Sequence, residues 1–221
     1  HWLLIASTAV VAMLAAISYV MFATPIYKGD ALLQVEQKSS GVPGLSELNQ
    51  MFEQESSTAA EIEILRSRMI LREVISQLKM DIQVQPERNS LWGKMTAPDP
   101  APPFLPRPAF AGYRDSETFI KVSAFNVPDR LLGRSFKIIE EKGQPALYFE
   151  GGLVGTAPLG KPIVSEDGSV RLFITDWVFG GEPVLITRLP EIAAINRLRG
   201  MLSVQEIGKT GMLSMTATGP D

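Results

Sequence analysis

From Trp2 to Ala23 the chain reads WLLIASTAVVAMLAAISYVMFA, twenty-two residues without a charge, a Gly or a Pro. Such a run predicts a helix of ~33 Å, enough for a hydrocarbon core of roughly 30 Å, and Thr24-Pro25 ends it. A cleaved signal peptide is the rival reading. Its apolar core would be about 7 to 15 residues, and Phe22-Ala23-Thr24-Pro25 is a poor small-residue cleavage site, so a membrane anchor is expected. Within it Thr8, Ala12 and Ala16 recur every fourth residue, the small-residue face through which transmembrane helices pack, although Ala is common in such helices for its own sake. After the anchor the period changes. YKGDALLQVEQ, residues 27–37, places Tyr27, Ala31, Leu33 and Val35 on one face and Lys28, Asp30, Gln34 and Glu36 on the other, a half-buried strand close to the bilayer. SSGVPG then reads as a loop, and Ser46 to Phe52 adds a short helical turn.

The strongest helical pattern outside the anchor runs from Ala59 to Met80, opened by a capping box of Thr58 with Glu61. Its apolar residues form two arcs. Ile62, Leu65 and Met69 cluster on one side, and Ile70, Leu71, Val74, Ile75 and Leu78 occupy a wider one. A helix apolar on several sides is either buried all round or shared with a partner. DIQVQ, ending at Gln85, resumes the two-residue alternation as a short strand. Between Pro86 and Tyr113 regular structure is interrupted, because six prolines fall between Pro98 and Pro108. This stretch reads as a strap over apolar surface rather than a polyproline ligand, since Phe104, Leu105 and Phe110 want cover.

Strand-like runs follow at close spacing: 118–125, 135–140, 146–150, 153–157, 170–178 and 183–187. Gly143, Gly151-Gly152, Gly160, Asp167-Gly168 and Gly180-Gly181 punctuate them, as in a small antiparallel sandwich or barrel. Phe125, Phe136, Ile138, Leu147, Phe149, Leu172, Ile174 and Leu185 are its expected core. Glu191 to Arg199 is a helix between Pro190 and Gly200, and 202–207 with 211–218 form a hairpin around Gly208-Lys209. The order predicts an α+β fold: a transmembrane helix (1–24), a membrane-proximal sheet-plus-helix domain (25–85 and 189–221, truncated), a proline-rich strap (86–117) and an antiparallel, jelly-roll-like β insert (118–188). The two ends carry the alternating runs outside the insert. They are therefore expected to pair into one sheet with the 59–80 helix packed on it.

Composition narrows the chemistry. A net charge of -3 with no basic stripe excludes a nucleic-acid surface. There is no Cys, and the one His is His1, which excludes thiolate catalysis, a Ser-His-Asp arrangement and His-ligated zinc in the domain. Gly151-Gly152 and Gly180-Gly181 sit between strands with no following Lys-Ser or Lys-Thr, so they are turns rather than phosphate loops. Glu140-Glu141 and Glu61 with Glu63 are neighbours whose side chains diverge, and read as solvated charge rather than an acid/base pair. Arg66, Arg68 and Arg72 on one helix suit phosphate or an acidic glycan, but read more simply as surface charge paired with Glu63 and Glu73. No catalytic, cofactor or metal site is expected. The chain lacks an initiator Met and stops in apparent strand, which reads as a fragment of a longer protein.

Four stretches in this order resemble a known family: PIYKGDALLQVEQ directly after a transmembrane pattern, EIEILRSRMILREVISQLKMDI, IKVSAFNVP, and INRLRGMLSVQEIGKTGMLSMTATGPD. The chain is similar along its whole length to the Wzz-type chain-length determinants. The large insert and the RSR helix resemble the bacterial tyrosine autokinases of capsule and exopolysaccharide export. The resemblance implies an inner-membrane polysaccharide co-polymerase with a periplasmic domain. It further implies assembly as a ring in the lipid bilayer, and work with a Wzy-type polymerase and the polysaccharide export machinery. It also implies that ATP and Mg belong to a kinase domain outside this chain. The proline-rich strap departs from the family pattern. The alternative is a membrane-anchored periplasmic ligand-sensing domain of a signalling receptor. If the co-polymerase reading is right, the arc of Ile62, Leu65 and Met69 is left for contact between subunits, because exposing such side chains costs about 1.5 to 3 kcal/mol each relative to burial.

Overall fold

The computed structural model describes residues 2–22, 26–34, 59–87, 110–208 and 212–220. The chain divides into two compact units, 1–58 with 201–221 and 59–200. The end strands pair as their alternation predicts. β1 (Ile26–Gln34) and β11 (Leu202–Glu206) flank β12 (Met212–Pro220) in a three-stranded antiparallel sheet. Register sets the faces, since directly paired residues share a side. Leu33 lies opposite Leu213, and Val204 opposite Met215. Leu213 and Val204 are buried, whereas Leu32, one residue out of phase, is 71% exposed. On the other face Thr216 Oγ1 donates to Asp30 Oδ1 at 2.8 Å, which holds the Asp30 carboxyl below its ordinary value. The Ile207 amide donates to the Met212 carbonyl at 2.8 Å and closes the hairpin.

The same unit carries α1 (Trp2–Phe22), helical as its unbroken apolar run dictates. Its reading as a transmembrane helix is corrected: among the described residues no helix is long and apolar enough to cross a membrane. The transmembrane element of the fold class, and with it the membrane-proximal placing of the sheet, is therefore not carried forward. Thr8, Ala12 and Ala16 all lie exposed on α1, with Thr8 Oγ1 turned back to the Ile5 carbonyl at 2.9 Å.

The second unit corrects the fold class again. The 59–80 segment was expected on the three-stranded sheet, but it belongs to the compact unit of the β insert, and among the described residues of the whole chain strand outweighs helix by 44% to 30%. Nor is it one helix. Residues 59–65 form α2, the chain turns at 66–67, and α3 (Arg68–Leu78) starts afresh. Ser67 causes the break: its extended backbone and its hydroxyl, accepting the Ile70 amide, make it an N-cap. Lys79 ends α3 in the left-handed conformation at φ 55°. The proposed cap at Thr58, the 46–52 turn and most of the strap lie outside the described residues.

Two antiparallel sheets make up the insert. One has the order β2 (Ile82–Pro86), β10 (Val184–Arg188), β5 (Ser135–Glu141), β6 (Gln144–Phe149), β7 (Gly152–Thr156). The other runs β3 (Gly112–Arg114), β4 (Phe119–Asn126), β9 (Arg171–Val178), β8 (Ile163–Val164). Strand β2, read as part of the flanking domain, thus completes the insert's own sheet. Pairing of β2 with β10 and of β4 with β9 nests the chain ends as a jelly roll does, but β5, β6 and β7 form a plain meander. Both meander turns hold two successive residues at positive φ, Lys142-Gly143 and Glu150-Gly151, the geometry that suits the twist of a tight hairpin.

Phe125, Phe136, Ile138, Leu147, Leu172 and Ile174 meet in one core, with Phe149 packed against it. Phe136 sits edge-on to Phe125 at 5.3 Å and stacks on Phe149 at 4.6 Å. Leu185 was expected there, but Val184 and Ile186 point inward instead. A strand has period two, so misjudging its phase by one residue exchanges its faces. The last helix, α4 (Glu191–Met201), runs through Gly200 straight into β11, where Gly200 was expected to stop it.

Candidate functional site

Within the 59–200 unit, α3 and α4 each bury a stripe: Leu71 and Ile75 on α3, Ala194, Ile195 and Leu198 on α4. Polar contacts tie the helices together. Arg72 Nε and Nη2 both donate to Glu191 Oε1, at 2.9 and 2.5 Å, between residues 119 apart in sequence. Arg199 Nη2 donates to the Arg66 carbonyl at 3.3 Å, and Gln77 donates to Glu73 at 2.9 Å. Arg66, Arg68 and Arg72 were expected to pair with Glu63 and Glu73; of these, Arg72 instead finds a carboxylate on α4.

Beside these helices opens a cavity of about 420 Å³. At its inner side Arg188 is held twice, by Asp81 Oδ2 at 2.6 Å and by the Phe125 carbonyl at 2.9 Å. The Leu189 amide donates to the Asp81 carbonyl at 2.7 Å, fixing the segment before β2 to the end of β10. Burial pushes the Asp81 carboxyl above its ordinary value, and the neighbouring Arg188 only partly offsets it. Here desolvation outweighs attraction, as happens when an ion pair is drawn from water. Asn126, Asp129, Ser76, Val127, Leu132 and the Arg72–Glu191 pair complete the rim and walls. Nothing in the spacing of Asp81, Asp129, Arg188 and Glu191 marked them beforehand, because only the folded sheets bring them together. Elsewhere, Asp167 in the turn before β9 accepts from Ser165 and Ser169, which lowers its carboxyl to about 2.

Of the expected contact residues, Ile62 and Leu65 are half-buried on α2, while Met69 stands 75% exposed at the start of α3. The break at Ser67 ends the continuous arc that a single helix would have made. Ile64, absent from that arc, is 57% exposed. Glu140 accepts from the Trp177 indole at 3.4 Å and Glu141 from the Tyr148 hydroxyl, so the two neighbours serve separate partners. Among the described residues no group of three or more acidic or His side chains is placed to hold a metal.

Residues 1–78 match the family described as Wzz: Chain length determinant protein. Over these residues the chain is similar to that family. Among the described residues the matched stretch takes in α1, β1, α2 and α3, and β1 pairs with β12, which lies beyond it. The chain as a whole is similar to tyrosine-protein kinase wzc of Salmonella typhimurium, 31% identical over 230 residues that cover 100% of this chain and 29% of that protein. It is likewise 32% identical over 235 residues to tyrosine-protein kinase etk of Escherichia coli K12, again 100% of this chain and 29% of the relative. Tyrosine-protein kinase ptk of Acinetobacter johnsonii is 28% identical over 229 residues, 100% of this chain and 31% of its own length. The chain thus spans about three tenths of the length of these relatives.

Proposed function

We propose that this chain is part of a bacterial inner-membrane polysaccharide co-polymerase, lying on the periplasmic side, that regulates the length and export of capsular or exopolysaccharide. The parent protein on this reading is a tyrosine autokinase whose ATP- and Mg-dependent domain is elsewhere, and its partners are a Wzy-type polymerase and the export machinery. The observation that carries the reading is the match of residues 1–78 to the Wzz family in a chain whose whole length aligns with tyrosine-protein kinases. The test is deletion of the parent gene in its host. Polymer sized by gel electrophoresis is expected to lose its long modal class and regain it with the intact gene. An unchanged length distribution would refute the assignment.

On the same reading the subunits stand side by side in a ring, and the face carrying Ile62, Leu65 and Met69 takes part in the contact. Its support is exposed apolar surface: Met69 stands 75% exposed, costing about 1.5 to 3 kcal/mol relative to burial. A face that meets a different face on the next subunit closes into a ring when the rotation permits. Replacing Met69 by Asp spares the core, since it is exposed. Light scattering of the full-length variant should show a lower mass than the parent, and an unchanged mass would remove this face from the interface.

A further inference from the structure

We propose that the cavity between α3, the β4 end and the start of α4 binds a neutral, polyhydroxylated ligand, a sugar ring. The volume of about 420 Å³ falls within the range of small-molecule sites, roughly 300 to 1,000 Å³. The chemistry of the walls selects the class. Both guanidinium groups are already neutralised, Arg188 by Asp81 and Arg72 by Glu191. An anion would have to break one of these pairs, and the remaining carboxylate, Asp129, repels it further. A hydroxyl is both donor and acceptor, so a ligand carrying several of them bonds to fixed ion pairs without disrupting either. Asn126 and Ser76 add short groups of the same double character. Val127 and Leu132 also line it and offer apolar surface for the C–H face of a ring. The burial that raises the Asp81 carboxyl marks the inner side of the cavity as poorly hydrated, where such hydrogen bonds count for more.

The inference rests on the cavity alone, so its failure leaves the chain-length reading untouched. The ring could belong to a free sugar or to one residue of a polymer, and the test separates the two. Saturation-transfer NMR on the full chain would use glucose, galactose and mannose, each at ~10 mM, tenfold above a Kd of ~1 mM. Dextran serves as the polymer arm, with glucuronic acid and inorganic phosphate as anionic comparisons. At least one neutral hexose is expected to bind. Asn126→Ala with Ser76→Ala should weaken it by ~10-fold, the loss of two neutral hydrogen bonds. Ser76→Trp, at an exposed position, should abolish binding by filling the cavity while melting temperature stays unchanged. Binding of dextran as well as glucose assigns the site to a polymer chain, and glucose alone to a free sugar. The proposal is overturned if no neutral hexose binds, if binding survives Ser76→Trp, or if an anion binds more tightly than every hexose.

Discussion

Phe136→Ala tests whether the sandwich stands on its own core. Phe136 is 1% exposed, edge-on to Phe125 at 5.3 Å and stacked on Phe149 at 4.6 Å. Truncating a buried Phe costs about 3 to 5 kcal/mol, from lost transfer energy and the cavity left behind. Losing two aromatic partners places this site in the upper half of that range, since each such pair adds about 0.5 to 1.5 kcal/mol. With a urea slope of ~2 kcal/mol per molar for a unit of this size, the midpoint should fall by ~2 M. Urea titration followed by circular dichroism measures that shift. Amide exchange tells where it acts. Protection should collapse for Ile138, Leu147 and Leu172, which share the core, and hold for Val204 and Leu213, which lie in the other compact unit. A loss below ~1.5 kcal/mol would mean that the site refills, and equal loss of protection in both units would refute their separateness.

Gly180→Ala should destabilise by about 1 to 3 kcal/mol in thermal unfolding, because a Cβ there meets Glu117 Cβ and Thr118 Oγ1 at 2.6 Å each; a neutral effect would refute the close approach. A double-mutant cycle on Arg72→Ala and Glu191→Ala should give a coupling below ~1 kcal/mol despite the short contact, since the side chains are 66% and 47% exposed. Coupling above ~2 kcal/mol would show a much drier pair than this. Asp167 should titrate near 2 by NMR, and Ser165→Ala should raise its midpoint. A carboxyl depressed on folding adds stability above its ordinary value of 3.8, and that stability is lost as pH falls through about 2. An Asp167 midpoint at the ordinary value would show that the Ser165 and Ser169 bonds do not persist in solution.

Local patterns were legible wherever one physical period decided the outcome. The alternation of 27–37 and of 202–218 predicted strands, and their pairing followed because a lone strand leaves its backbone unsatisfied. The Gly143 and Gly151 turns were visible because two-residue hairpins call for positive φ. The helix over 59–80 was misread as continuous because Ser67 is unremarkable in a helix until its hydroxyl caps the next turn. Leu185 was assigned inward because both phases of VLITR carry apolar residues, and only pairing with β2 and β5 decides between them. The apolar run of α1 determined a helix, yet length and hydropathy did not by themselves establish a span among the described residues. The cavity was invisible for a different reason. Asp81, Asn126 and the Arg188–Glu191 stretch are three separate segments with no shared spacing, and the site they form depends on distances between segments. Periodicity in a sequence reports which face of one element is dry; which elements then meet is decided by closure of the sheets, and only tertiary structure carries that information.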